Sequence, residues 1–281
     1  MLGTGKLVGS PVSFEANWVT SDDSKPVETP SNIFIKRSFT VPGSIEPGLA
    51  GVLFEEDGVI TPVSSIFKKQ SDGTTLVTVN RPGFSVYAAA TRTVAFTDID
   101  ASYAASDIKD LAGKWIINGK TATTFSPKAN LTRAEFTALL VRALGLKAAG
   151  TEAFTDVKVG DWFASDVAAA SEAGLIKGIG GGKFAPNAKV TREDLAVILD
   201  RALKLTGTEL KLAGLDPIAP YADSVKVSAY AKESVKLLTD AGIIDGFSLT
   251  EGTFYQPNAS ATREFSAAAL HRLLIKAGLT K

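Results

Sequence analysis

Apolar residues recur at helical spacing in three stretches of the chain, residues 131–144, 190–203 and 261–274. Each stretch opens with Thr-Arg and carries a second Arg nine residues after the first. In the first stretch a threonine is followed three residues later by a glutamate, which is the spacing of a helix capping box. The second stretch has the shorter aspartate at that position, and the third has phenylalanine, which leaves only the threonine cap. The pattern predicts three copies of one helix.

Each copy closes a longer unit with a fixed order of elements. An aromatic residue and an aspartate open the unit, and a helix with an aromatic residue near its start follows. An apolar pair, a glycine and a loop ending in Phe and Pro then lead to the Thr-Arg helix. A helix-loop-helix unit of this size cannot bury its apolar face alone, so neighbouring units must pack together. We therefore predict three helical repeats, at residues 95–147, 153–206 and 220–281.

The glycine after the apolar pair recurs as Gly119, Gly178 and Gly246. A residue with positive φ commonly ends a helix, and glycine adopts that conformation without steric cost. We predict that these three glycines end the first helix of their repeats in the left-handed conformation.

The chain before residue 95 has a different pattern. Short runs rich in β-branched and aromatic residues alternate with Gly, Pro and Asp turn signals, and the polar residues 21–31 are predicted to form a loop. Nothing in this region gathers catalytic groups, so we interpret residues 1–94 as a structural, β-sandwich-like module. The fold class is therefore α+β and multidomain, with an all-β module before three helical repeats. The predicted strands are residues 33–41, 51–55, 59–63, 75–79 and 83–89.

Composition excludes several classes of function. The chain has 30 basic and 30 acidic residues, which argues against electrostatic binding of nucleic acid or a membrane surface as its main role. It has no Cys and one His, so a zinc site or a Ser-His-Asp triad is improbable, and we predict no metal, cofactor or catalytic residue. No run of 18 apolar residues occurs, and we expect no membrane span. The first residues lack the apolar segment of a signal peptide, and we expect the sequence to be a piece of a longer protein.

The Arg of each Thr-Arg pair is the strongest candidate for a binding role. A threonine cap places Arg133, Arg192 or Arg263 at the first helical position, where free amides and the guanidinium can hold a carboxylate. The alternative is that these arginines pair structurally with the aspartates that open the repeats, Asp98, Asp156 and Asp223. The spacing alone leaves both interpretations open.

The aromatic residue near the start of each first helix is a second candidate. Tyr103, Trp162 and Tyr230 can stack on the face of a sugar, because an aromatic ring offers an apolar plane. An aromatic residue at such a position is more often part of the core, so a packing role is the alternative. A single aspartate per repeat indicates a turn residue rather than a glycosidase acid, which needs a paired carboxylate.

Together these motifs resemble the S-layer homology repeat, three copies of which cover residues 96–281. The resemblance implies a pseudo-threefold arrangement with a central three-helix bundle. It also implies non-covalent anchoring of a secreted Gram-positive surface protein to the cell wall, in the S-layer. Grooves between repeats are then expected to bind secondary cell-wall polysaccharide, often pyruvylated, and neighbouring surface-layer subunits are possible further partners. The binding residues implied are Arg133, Arg192, Arg263, Tyr103, Trp162, Tyr230, Gly119, Gly178, Gly246 and Gly182.

The sequence departs from the family pattern in two repeats. Repeat one has Trp115 where the family usually has Gly, and repeat three has TREF in place of TRAE and an enlarged loop at residues 247–253. We therefore expect unequal grooves, with those that touch repeat two the most competent. Two alternatives remain: a protein–protein module of a surface lattice that does not bind glycan directly, and a glycan hydrolase with unrecognised carboxylates.

Overall fold

The computed structural model describes residues 5–21, 23–27, 30, 32–148, 150, 154–211 and 221–281. Within them a β-rich region precedes six α-helices, as the α+β prediction requires. The predicted domain limits at residues 1, 153 and 220 lie outside the described residues.

The described residues of the β module form nine strands, and seven of these belong to two antiparallel sheets with strand orders β1-β9-β5-β6 and β4-β8-β7. Alternation explains the sheets: every second residue of β4 and β8 is buried, and these side chains share one core with residues of the other sheet. Strands β2 and β3 pair as a separate hairpin, so the prediction of a loop at residues 21–31 is wrong where β3 lies. The strands are β1 Lys6–Ser13, β2 Asn17–Val19, β3 Ser24–Pro26, β4 Ile35–Val41, β5 Ala50–Glu56, β6 Val59–Val63, β7 Ser65–Lys69, β8 Thr75–Arg81 and β9 Val86–Thr91.

Each repeat contributes two helices, and the second begins at the Arg of the Thr-Arg pair. The capping box of Thr132 and Glu135 is confirmed, and Thr191 and Thr262 cap their helices through the hydroxyl. A short hairpin, β10 Phe247–Leu249 and β11 Gly252–Phe254, occupies the enlarged loop of repeat three. The helices are α1 Ala105–Gly113, α2 Arg133–Leu144, α3 Ala164–Glu172, α4 Arg192–Leu205, α5 Lys232–Asp240 and α6 Arg263–Lys276.

The three repeats share one continuous core and contact one another in cyclic order. The second helix of each repeat packs on the first helix of the next, α2 on α3, α4 on α5 and α6 on α1. Backbone bonds before these second helices follow a cycle too: Leu131 N donates to Ala261 O, Ala261 N to Val190 O, and Val190 N to Leu131 O, at 3.1, 2.9 and 3.2 Å. Because each of these bonds joins two different repeats, no repeat supplies all the hydrogen-bond partners of its own backbone.

The prediction that Gly119, Gly178 and Gly246 have positive φ is wrong, since none of them lies in the left-handed region. The first helices end six residues before these glycines, and the left-handed position lies four residues before them, at Gly174 and Gly242 in repeats two and three, with φ of 70° and 69°. The three predicted glycines are needed for close packing instead. A Cβ atom on Gly178, for example, would lie 2.6 Å from the carbonyl oxygen of Lys183.

In repeat one the left-handed position is occupied by Trp115, with φ of 59°. A bulky residue in this conformation is strained, by roughly 1–2 kcal/mol. Its indole is buried against Leu53 and Ala90 of the β module, which offsets that strain. Nearby, Gly51 approaches repeat one so closely that a Cβ atom there would lie 2.6 Å from the Cα of Lys114. The β module and repeat one are therefore tightly packed together.

A buried charge cluster joins the last repeat to the first. His271 on α6 has Nδ1 2.7 Å from Asp107 Oδ1 and Nε2 3.0 Å from Asp110 Oδ2, both on α1. Burial favours the neutral ring, but the two carboxylates outweigh it and raise the pKa of His271 to about 9. Lys114 bonds both to Asp110, at 2.7 Å, and to the carbonyl of Pro47, at 3.2 Å. The cluster thus connects α6, α1 and the β module.

Candidate functional site

Each Thr-Arg helix begins against the loop of the next repeat. The backbone amide of Arg133 donates to Ala188 O at 2.8 Å, and its side chain donates from Nε to Phe184 O at 2.9 Å and from Nη2 to Lys177 O at 3.0 Å. Burial lowers the pKa of all three arginines, yet each keeps its charge at neutral pH because an arginine starts so high. The equivalent side-chain acceptors are Tyr255 O and Asp245 O for Arg192, and Phe125 O and Asn118 O for Arg263.

The aspartates that open the repeats form no direct ion pair with these arginines in the described part of the chain, although each one attracts the arginine of the preceding repeat in the cycle electrostatically. The structural alternative therefore holds only as a longer-range attraction. The carboxylate of Asp156 accepts the backbone amides of Phe184 and Ala185, both at 2.8 Å. Burial raises its pKa, but the amide donors together hold the pKa of Asp156 below its ordinary value. Asp98 and Asp223 accept the corresponding amides of their own repeats. Each aspartate therefore fixes the loop whose preceding carbonyls receive the arginine.

One cavity, which we call groove A, has a volume of about 510 Å³ and is lined by residues of all three repeats. Arg133 comes from repeat one, Lys177, Asp194 and Arg201 from repeat two, and Tyr230 from repeat three. Nη1 of Arg133 lies 3.6 Å from Asp194 Oδ2, and the Tyr230 hydroxyl donates to Asp194 Oδ1 at 2.8 Å. Burial and the neighbouring carboxylates raise the pKa of Tyr230, so its hydroxyl stays protonated. The lining of groove A therefore carries three cations and one carboxylate, and that carboxylate already contacts Arg133 and Tyr230.

A second cavity, which we call groove B, has a volume of about 410 Å³. Tyr103 of repeat one, Arg192 of repeat two and the β10 strand of repeat three line it, together with Phe265 at the position that Asp194 takes in groove A. The Arg192 guanidinium lies 3.7 Å from the centre of the Phe265 ring. Burial, with the charge of Glu264 nearby, raises the pKa of Tyr103 to about 12. Groove B is more apolar than groove A.

The three predicted aromatic residues are not core residues. Tyr103, Trp162 and Tyr230 are 55%, 59% and 60% exposed, and each lies two residues before its helix. The packing alternative is therefore wrong for all three. Trp162 rests edge-on against Phe163, with ring centres 5.3 Å apart.

The structure brings together some of the predicted residues. Arg133, Gly178 and Tyr230 share groove A, whereas Arg192, Gly246 and Tyr103 share groove B. The remaining predicted residues lie at other loops: Arg263 bonds the carbonyl that precedes Gly119, Trp162 is exposed at the start of α3, and Gly182 accepts the amide of Thr155 at 2.8 Å.

Sequence reasoning missed Lys177, Asp194 and Arg201 in groove A. Arg201 is the second Arg of its stretch, and on one straight helix it points away from Arg192. It lines the same cavity as the first Arg of the preceding repeat instead, and its Nη1 donates to Leu175 O at 3.1 Å. The recurrence of the second Arg was a usable signal.

Three segments of the chain, residues 95–137, 153–196 and 220–264, match the S-layer homology domain. These are S-layer homology domains. They coincide with the cyclic helical units, and each contains one Thr-Arg helix start. S-layer homology domains of surface proteins generally anchor them to the cell wall.

Similar proteins include surface-layer proteins and proteins named as enzymes. The chain is 31% identical to the S-layer protein sap of Bacillus anthracis over 72% of this chain and 24% of that protein. It is 30% identical to the surface-layer 125 kDa protein of Lysinibacillus sphaericus, over 62% and 14%. It is 35% identical to an amylopullulanase of Thermoanaerobacterium thermosulfurigenes, over 74% and 11%. The chain thus spans less than a quarter of each of these relatives.

Of the helices in the described ranges, none has both the length and the apolarity needed to span a bilayer. The same part of the chain contains no group of three or more His, Cys, Asp or Glu side chains that could hold a metal ion.

Proposed function

We propose that this chain anchors a surface protein non-covalently to the bacterial cell wall by binding pyruvylated secondary cell-wall polysaccharide in the grooves between its S-layer homology domains. The single observation that carries the proposal is groove A, where Arg133, Lys177 and Arg201 converge from two repeats on one cavity. A carboxylate on a sugar fits this charge, and Tyr230 offers a ring for the sugar face. The chain acts outside the cell, by binding rather than by catalysis.

The residues proposed to bind glycan are those predicted from the sequence. Arg133, Gly178 and Tyr230 line groove A, and Arg192, Gly246 and Tyr103 line groove B. By the cyclic order of the repeats, Arg263, Gly119 and Trp162 form a third groove, and Gly182 shapes the loop of repeat two. Neighbouring surface-layer subunits are proposed as further partners.

The proposal includes a pseudo-threefold arrangement with α2, α4 and α6 as the central bundle. Cyclic bonding supports it, because the same amide-to-carbonyl bonds recur between repeats one and two, two and three, and three and one. Contacts of α6 with both α2 and α4 support it as well. In this arrangement every groove lies between repeats, so correct assembly of the repeats is a condition for binding.

Co-sedimentation with purified cell-wall sacculi tests the proposal. We expect the protein to sediment with native sacculi and to stay in the supernatant when the polysaccharide has been chemically removed. Equal sedimentation with stripped peptidoglycan would refute polysaccharide binding. Absence of sedimentation with both preparations, together with self-association in solution, would favour a lattice module that binds no glycan. Release of sugar during the incubation would favour an enzyme.

A further inference from the structure

The charges that line groove B are already paired. Lys128 pairs with Glu264, and the carboxylate of Asp245 pairs with Arg272. Glu264 also accepts the hydroxyl of Ser102 at 2.7 Å. The side chains that line this groove include two cations and two carboxylates, whereas groove A has three cations and one carboxylate. Groove B therefore gives an incoming anion much less electrostatic attraction than groove A.

Arg192 itself is committed to the protein. Its Nε and Nη2 donate to the carbonyls of Tyr255 and Asp245, both at 2.6 Å, and the residue is 2% exposed. Its guanidinium also lies 3.7 Å from the Phe265 ring centre and 4.7 Å from that of Phe247. These aromatic faces satisfy part of the charge. Arg133 makes the same two carbonyl bonds, but its Nη1 lies 3.6 Å from the Asp194 carboxylate at groove A, where Arg192 has the Phe265 ring.

Both grooves contain apolar surface, but in groove B it stands beside balanced charges and fewer polar groups. Phe247 and Leu249 of the β10–β11 hairpin are 41% and 55% exposed, and Tyr103 across the cavity is 55% exposed. Apolar and aromatic side chains of this kind bind the C–H face of a sugar ring or the methyl group of an N-acetyl substituent. The hairpin is an addition of repeat three, and it places Phe247 and Leu249 on the wall where groove A has Ile179.

We propose that the two grooves bind different parts of the polymer: groove A an anionic sugar, and groove B an uncharged sugar with an apolar substituent such as N-acetyl. This rests on the proposed function, since it assumes that the grooves bind glycan. Two unlike sites on one rigid body gain affinity for a polymer that carries both sugars, because the second contact forms at high effective concentration.

Two probes separate the grooves: the methyl glycoside of an N-acetylhexosamine, and the same sugar with a pyruvate ketal. Amide chemical shifts of isotope-labelled protein give the location and the affinity of each probe. We expect the uncharged probe to change the amide chemical shifts of residues 247–249, and the ketal to change those of residues 177–179. Salt raised from about 50 to about 500 mM should weaken ketal binding and leave the uncharged probe unchanged.

Two matched variants change one wall each. Leu249→Ser should weaken binding of the uncharged probe about fivefold and binding of the ketal by less than about twofold. Arg201→Gln should weaken binding of the ketal about fivefold and binding of the uncharged probe by less than about twofold. Tyr103→Ser tests the opposite wall of groove B if the hairpin variant is misfolded. If one variant loses binding of both probes, or if the ketal binds at residues 247–249, the proposed division between the grooves is overturned. If sacculi retain the protein but the uncharged probe does not bind, only the division fails; if sacculi do not retain it, the proposed function fails.

Discussion

Replacing Arg192 with methionine should destabilise the protein markedly, because the side chain joins two repeats. The change keeps an apolar side chain against the aromatic rings but removes both donors, and leaves the carbonyls of Tyr255 and Asp245 without their 2.6 Å partners. An unsatisfied buried acceptor costs about 1–3 kcal/mol. Part of this is offset because a buried cation no longer has to be desolvated. We expect a net loss of about 2–4 kcal/mol in the free energy of unfolding.

Thermal unfolding followed by circular dichroism measures this loss. For a chain of this size, about 2–4 kcal/mol corresponds to a fall of roughly 5–15 °C in Tm. Arg142→Met is the matched control, because Arg142 is 30% exposed and lies 3.8 Å from Asp166, so its loss should cost less than about 1 kcal/mol. Equal Tm values for the two variants would refute the reasoning. The comparison also matters for function, because unfolding of an Arg192 variant would by itself release the protein from the cell wall.

Three further predictions concern the rest of the molecule. The pKa of His271 is about 9 in the folded protein and about 6.5 in the unfolded chain, so the protonated ring stabilises the fold fully below about pH 6.5 and this stability is lost as the pH rises through about 9. The free energy of unfolding in urea should therefore differ between pH 6 and pH 9.5 by up to about 3 kcal/mol in the wild type and by much less in His271→Gln. Gly51→Ala places a Cβ against the backbone of Lys114 and should lower the free energy of unfolding by about 1–3 kcal/mol. Calorimetry should then show the thermal transition of the β module separating from that of the repeats, and a single unshifted transition would contradict this. Asp156→Ala frees two amides and should lower stability by about 2–4 kcal/mol, whereas Asp100→Ala, at an exposed position, should be near neutral; similar urea midpoints would count against the role given to the carboxylate.

Local features were predictable from the sequence, because they depend on residues close together in the chain. The capping box of Thr132 and Glu135 needs only a spacing of three, and the Thr-Arg helices begin where their pattern places them. The exposed hairpin at β10 could be anticipated only as an enlarged loop, since its three-residue strands carry no strong alternation.

Contacts between repeats were not predictable in the same way. The arginines bond to backbone carbonyls, which every residue has, so no residue type marks the acceptors of Arg133. Arg201 shares groove A with Arg133 only because repeats one and two come together there, which the spacing within one repeat does not reveal. The helix-ending position was misplaced because Gly178 and Gly246 stand four residues after Gly174 and Gly242, and either glycine satisfies the sequence rule.

The most direct test of the central claim is a structure of the chain in complex with a synthetic pyruvylated hexosamine. The account predicts that the ketal carboxylate lies in groove A, within about 3 Å of a guanidinium nitrogen of Arg133 or Arg201, with the sugar ring against Tyr230. A carboxylate bound away from every arginine of the Thr-Arg helices and of groove A, or a sugar outside the clefts between repeats, would contradict it.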